Sequence, residues 1–278
     1  MTATTGTAPR HQAPHKESEQ RVTQLRVLVS EWTKLRSLRS TVFSLLLALV
    51  FILGLSILVP SVTVAHWPPR DPGELAAFDP TTRSLSGAFL AQLAIGVLGV
   101  LVMTSEYATG MIRATFAAVP HRLPVLWAKA FLFAAVTLVL TIPALLVAFV
   151  IGQSIFSAKH IETTLGAPGV ARAVIGTALY LTVVGLLGLG LGALFRNTAA
   201  GISCLFGALF VLPIIVHFLP SSLSDPINKY LPSTAGQAIL QVKPDSGSLS
   251  PWVGFGVFVA YAAVVLAAAA YALIRRDT

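Results

Sequence analysis

The chain has 278 residues, of which 55% are hydrophobic and 11% charged, with a formal net charge of +8. A soluble domain carries roughly 25% charged residues. This composition, with a mean hydropathy of +0.80, argues against a soluble domain and predicts an all-α integral membrane protein. The basic excess suits the anionic headgroups of membrane lipids. No recognition helix or aromatic–basic platform accompanies it, so nucleic acid is not an expected partner.

Residues 1–20 are polar, with Pro, Thr, His and Gln, and are predicted to form a disordered tail. Residues 21–40 follow a helical period. Val22, Leu25, Leu28, Val29, Trp32, Leu35 and Leu38 share one face, which Arg21, Gln24, Glu31 and Lys34 leave. A basic helix with an aromatic on its apolar side is expected to lie in the membrane interface before the chain turns up into the first span. Residues 41–278 then read as one six-span domain, with spans at about 41–60, 84–104, 124–152, 169–195, 198–219 and 251–274. The first run follows about forty polar and basic residues and reads as an uncleaved anchor. With the N-terminus inside, 13 of the 19 Lys and Arg residues fall on inner segments and six on outer ones, which places both termini in the cytoplasm.

The loop at 61–83 is rich in Pro and Asp and offers Trp67 as an interface anchor. Ser105–Leu123 is a polar helical pattern between two apolar runs. Glu106, Thr109 and Arg113 fall on one face, while Ala108, Met111, Ile112 and Phe116 make a separate apolar face. Thr104 or Ser105 would cap its start and Pro120 would stop it. Such a helix is too short to span and would offer a charged edge to water. On pattern alone it reads equally well as a docking helix for a soluble partner and as a solvated loop helix.

Pro143 and Pro213 fall inside spans and are expected to bend them. In the fourth span, Gly188 and Gly192 form a small-xxx-small pair, joined by Gly185 and Gly190. Close helix packing accounts for that run without any ligand. Cys204 reads as a small buried residue. Residues 220–250 carry two short helical patterns, Leu223–Leu231 and Ala235–Val242, split by Pro232.

The predicted spans hold no Asp or Glu, and Lys129 and Arg172 lie near span ends, where they would snorkel to the headgroups. A proton- or sodium-driven carrier usually needs a buried ionisable residue. The chain also lacks HExxH, GxSxG and GxxxxGK[ST] patterns. No catalytic residue, metal ligand or cofactor site is therefore expected on it. Active transport would need energy from another polypeptide, which favours the docking reading of 105–120.

Four segments carry a resemblance to a known family: SEWTKLRSLRST (30–41), TSEYATGMIRATFAAVPHR (104–122), GLLGLGLGALFRNT (185–198) and YLPSTAGQAI (230–239). From about Arg21 onward the chain resembles the permease subunit of bacterial ATP-binding-cassette transporters, type 2 exporter class. The resemblance implies a connecting helix at 21–40, a coupling helix between spans 2 and 3 with Glu106, Thr109 and Arg113 as contacts, and short external helices between spans 5 and 6. It implies a bacterial inner-membrane location, cytoplasmic ATPase subunits that bind ATP and Mg, and a second permease chain in a homo- or heterodimer. It further implies export of a lipophilic or amphipathic compound such as a drug, natural product or lipid. The reading from a different class is a non-transporting membrane protein, acting in resistance, immunity or lateral interaction.

Overall fold

The computed structural model describes residues 24–37, 39–112, 122–243 and 247–275. The predicted tail at 1–20, Leu38, Arg113 and most of the predicted coupling segment lie outside the described residues. The described chain is helical, with no strand among the described residues. Six of its helical stretches are long and apolar enough to cross a membrane, so the chain is a multi-pass membrane protein in architecture.

The elements in chain order are α1 (Gln24–Ser37), α2 (Arg39–Ala65), α3 (Pro72–Ala77), α4 (Pro80–Ser84), α5 (Ala88–Ala108), α6 (Arg122–Phe156), α7 (Val170–Phe195), α8 (Thr198–Phe206), α9 (Leu212–His217), α10 (Ser221–Asn228), α11 (Pro232–Gln237) and α12 (Pro251–Arg275). The spans are α2, α5, α6, α7, α8 joined to α9, and α12. A π-helical stretch at Gly207–Val211 links α8 to α9, and Pro213 is the second residue after it. A proline lacks the N–H of the helical ladder and crowds the preceding turn. The widened stretch relieves that crowding, and the span continues through it.

Helix α7 is the centre of the bundle and packs against α5, α6, α8 and α12. Lipid tails are as apolar as leucine, so burial of apolar surface drives helices together only weakly in a membrane. Close van der Waals packing between small residues does so instead. A Cβ on Gly188 would strike the Gly96 carbonyl, and one on Gly99 the Gly185 carbonyl. A Cβ on Gly192 would come within 2.7 Å of the Val100 carbonyl oxygen. Gly185, Gly188 and Gly192 thus set the contact of α7 with α5 inside one chain. Gly190 faces Val265 and Leu266 of α12.

Several boundaries differ from the sequence reading. Helix α5 runs on to Ala108 instead of stopping near 104, so Glu106 belongs to a membrane-length helix. Helix α6 has 35 residues, a length of about 52 Å at 1.5 Å per residue, which exceeds a hydrocarbon core of about 30 Å. The loop at 61–83 contains α3 and α4. Each begins with Asp-Pro, and Asp71 accepts from Gly73 N at 2.8 Å while Asp79 accepts from Thr81 N at 3.0 Å. Aspartate at the cap followed by proline in the first turn is a helix start. Pro232 likewise opens α11 and does not merely divide two patterns. Cys204 is exposed on the bundle, not buried.

Candidate functional site

Where α1 meets the bundle, four ionisable side chains converge. Glu31 and Lys34 come from α1, Glu106 from the last turn of α5, and Lys129 from the second turn of α6. Lys129 Nζ donates to Glu106 Oε1 at 2.7 Å and also to Glu31 Oε2. Lys34 Nζ donates to Glu31 Oε1 at 2.7 Å and to Glu106 Oε1 at 3.1 Å. Glu31 is 1% exposed, and Glu106 and Lys129 are each 2% exposed. Two carboxylates face two ammonium groups, so the cluster is neutral in sum. That balance lets Glu31, Glu106 and Lys129 stay away from water, with Lys34 at the partly exposed edge, because each has an opposite charge in hydrogen-bond contact.

Local sequence explains how α1 delivers its pair. Val27, Glu31 and Leu35 recur every fourth residue, and all three are buried, with Val27 packed against Val125 and Ala128 of α6. Val29 and Trp32 lie on the outward side and are exposed. The sequence reading placed Glu31 off the packed face. The structure reverses this, because the inward stripe carries Glu31 to Lys129.

Lys34 keeps its proton more firmly than usual. Partial burial alone would lower its pKa, but the hydrogen bond and charge of Glu31, with the charge of Glu106, outweigh it and raise the pKa above its ordinary 10.5. Lys129, expected to snorkel to headgroups, points into the protein because both carboxylates lie there.

The neighbours of Glu106 reach the rest of the same end. Thr198 Oγ1 donates to Thr104 Oγ1 at 2.8 Å, and the Arg196 guanidinium sits 5.3 Å from the centre of the Tyr107 ring. Residues 104–107 therefore touch α1, α6 and the turn between α7 and α8. Beyond them the chain changes direction. Gly110 has φ of 71°, a left-handed conformation that glycine adopts freely. Thr109, whose hydroxyl donates to the Ser105 carbonyl at 2.9 Å, is exposed, as are Ala108 and Met111.

The expectation that Glu106, Thr109 and Arg113 share one exposed helical face does not hold for the first two. Glu106 is interior, Thr109 is at the tip, and Gly110 separates α5 from the helical turn starting at Met111. Arg113 lies outside the described residues. The sequence reading missed Glu31, Lys34 and Lys129 as a set. A lysine six residues inside an apolar run was the available signal, since an ionisable residue there calls for a partner.

No group of three or more metal-ligating side chains exists among the described residues. The cluster ties three helices at one end. No family model matches the chain, and no curated protein matches it either.

Proposed function

We propose that the chain is the permease subunit of an ATP-binding-cassette exporter. It moves a lipophilic or amphipathic compound across a bacterial cell membrane, using ATP hydrolysed with Mg on separate ATPase subunits. It works beside a second permease chain. The observation that carries this reading is the tie between Glu106, in the last turn of α5, and Lys129, in the second turn of α6, the two helices between which residues 109–121 lie in sequence. A chain without its own phosphate-binding loop must receive energy from outside. A push on residues 109–121 moves α5 and α6 together, and Glu31 brings α1 with them. The four resembling segments support the same reading.

On this reading the α1 end faces the cytoplasm, in keeping with the split of basic residues. The exposed tip at Thr109 contacts the ATPase, Arg113 is proposed as a further contact from the sequence alone, and Glu106 is a positioning residue inside the chain. The test is affinity purification of the full chain from its native membrane, identification of co-purified proteins, and assay of ATP turnover and efflux. The expected result is an ATP-binding-cassette ATPase bound to the wild type, weaker association for Thr109→Trp, and retained association with impaired efflux for Glu106→Gln. Purification without any ATPase, or wild-type efflux in both variants, overturns the assignment.

A further inference from the structure

At the end opposite the ion cluster, a cavity of about 130 Å³ opens between the start of α5, the middle of α7 and the α11 segment. One water needs only about 10–15 Å³ of such space. Leu85, Phe89 and Leu240 give it apolar walls, and Gln92, Tyr180 and Gln237 give it a polar floor. No Asp, Glu, Lys, Arg or His lines it.

The polar floor is fixed from behind. Tyr180 is 1% exposed, its ring stacks 5.3 Å from that of Phe258, and its hydroxyl donates to Gln92 Oε1 at 2.6 Å. Gln237 also lies at that hydroxyl. Gly236 lets α11 approach, because a Cβ there would come within 2.8 Å of the Tyr180 ring. The bond from Tyr180 occupies the Gln92 oxygen and turns the amide nitrogen toward the cavity. Gln92 is 2% exposed and lines the cavity, and with its oxygen taken by Tyr180 it has the amide N–H left to offer there. The Ser86 hydroxyl, on the same wall, is buried without a partner. Buried polar groups are nearly always hydrogen-bonded, so the unfilled Ser86 hydroxyl beside the Gln92 amide points to a guest.

We infer that this cavity binds a neutral amphipathic molecule through an uncharged oxygen acceptor, such as an ester or ketone carbonyl, which receives the Gln92 amide N–H while its apolar body lies against Leu85, Phe89 and Leu240. A carboxylate or phosphate would find no cation to balance it and would lose its hydration. A plain hydrocarbon would leave the Gln92 donor empty. As a binding site the inference stands on the cavity alone. As the place where the exported compound is held, it rests on the export reading.

The test uses the full chain in phosphatidylcholine nanodiscs, without ATPase or ATP, in a Cys204→Ser background. Thr82 lines the cavity and is exposed, so Thr82→Cys supplies a thiol whose maleimide alkylation reports occupancy. Three probes share one tail: methyl oleate, oleate and 1-octadecene. Methyl oleate is expected to slow alkylation saturably, at about one-tenth the concentration that either of the others requires, the ratio one hydrogen bond in a dry pocket supports. Gln92→Leu should abolish the preference, and Tyr180→Phe, which frees the Gln92 amide to turn, should weaken it. Ala88→Leu, which fills the cavity, should remove protection. An unprotected alkylation rate equal to that of the parent identifies variants that are still folded. Equal protection by all three probes, protection that survives Gln92→Leu, or no protection at all overturns the inference. Each leaves the partner-ATPase result untouched, so the two readings fail separately.

Discussion

Lys129 Nζ sits 2.7 Å from Glu106 Oε1 across 23 positions of sequence, joining two membrane-length helices. Both side chains are nearly free of solvent contact. Such a pair adds little net stability, because desolvation offsets much of the attraction, yet removing one partner strands the other. Its role is therefore specification: it fixes which turn of α6 lies beside the end of α5.

Lys129→Met should leave Glu31 and Glu106 to share Lys34 alone, with one buried negative charge uncompensated. The expected loss is about 3–5 kcal/mol of stability, seen as a lower midpoint in thermal unfolding in detergent. Adding Glu106→Gln to that variant, which leaves Glu31 paired with Lys34, should recover much of the loss. A Lys129→Met protein as stable as the wild type contradicts the buried network.

Gly188→Leu should separate α7 from α5, because its Cβ meets the Gly96 backbone, which cannot give way. Gly54→Leu is the control, since nothing lies within 4 Å of a Cβ there. Thermal stability in detergent should fall for the first and hold for the second. Equal midpoints would refute the packing argument.

The Lys34 interaction should depend on alkali, not acid. The folded pKa lies above its ordinary 10.5, so the fold favours the protonated form. The stabilisation is complete below about pH 10.5 and fades as pH rises through the raised value. The stability difference between wild type and Lys34→Met should be constant from pH 7 to about 10 and shrink above that range. A difference that disappears near neutrality would contradict it.

Orientation is testable with single cysteines in a Cys204→Ser background. Thr109→Cys and Glu74→Cys occupy exposed positions at opposite ends of the bundle. On intact cells an impermeant thiol reagent should label only the second. Labelling of Thr109→Cys before permeabilisation inverts the proposed topology.

The six spans were legible because about twenty consecutive apolar residues have few other uses. The α7 glycines were legible too, because a run such as GLLGLGLGAL has room for close neighbours. The ion cluster was not. Its members are separated by 72 to 98 positions between α1 and the spans, and periodicity carries no information about which charges will meet. Glu31 misled because a charge on an amphipathic helix ordinarily marks the wet face. Glu106 misled because charge ordinarily marks the end of a span. Each rule fails where an opposite charge waits inside. The cavity at the end opposite the ion cluster was equally hidden, since Gln92, Tyr180 and Gln237 share no local pattern.

The length of α6 has a mechanical meaning. Near one end Lys129 joins the ion cluster, and 24 positions later Gln153 donates to the Ser84 hydroxyl at 3.0 Å and to the Pro80 carbonyl at 3.2 Å. One unbroken helix therefore bridges the two faces as a strut of about 36 Å between its anchor points. Axial displacement applied at the Lys129 anchor arrives at α4, beside the cavity lined by Thr82, unless the strut flexes. Pro143, inside it, is where flexing costs least. The stiffness of one turn around a proline thus sets how much of a stroke at one face reaches the other.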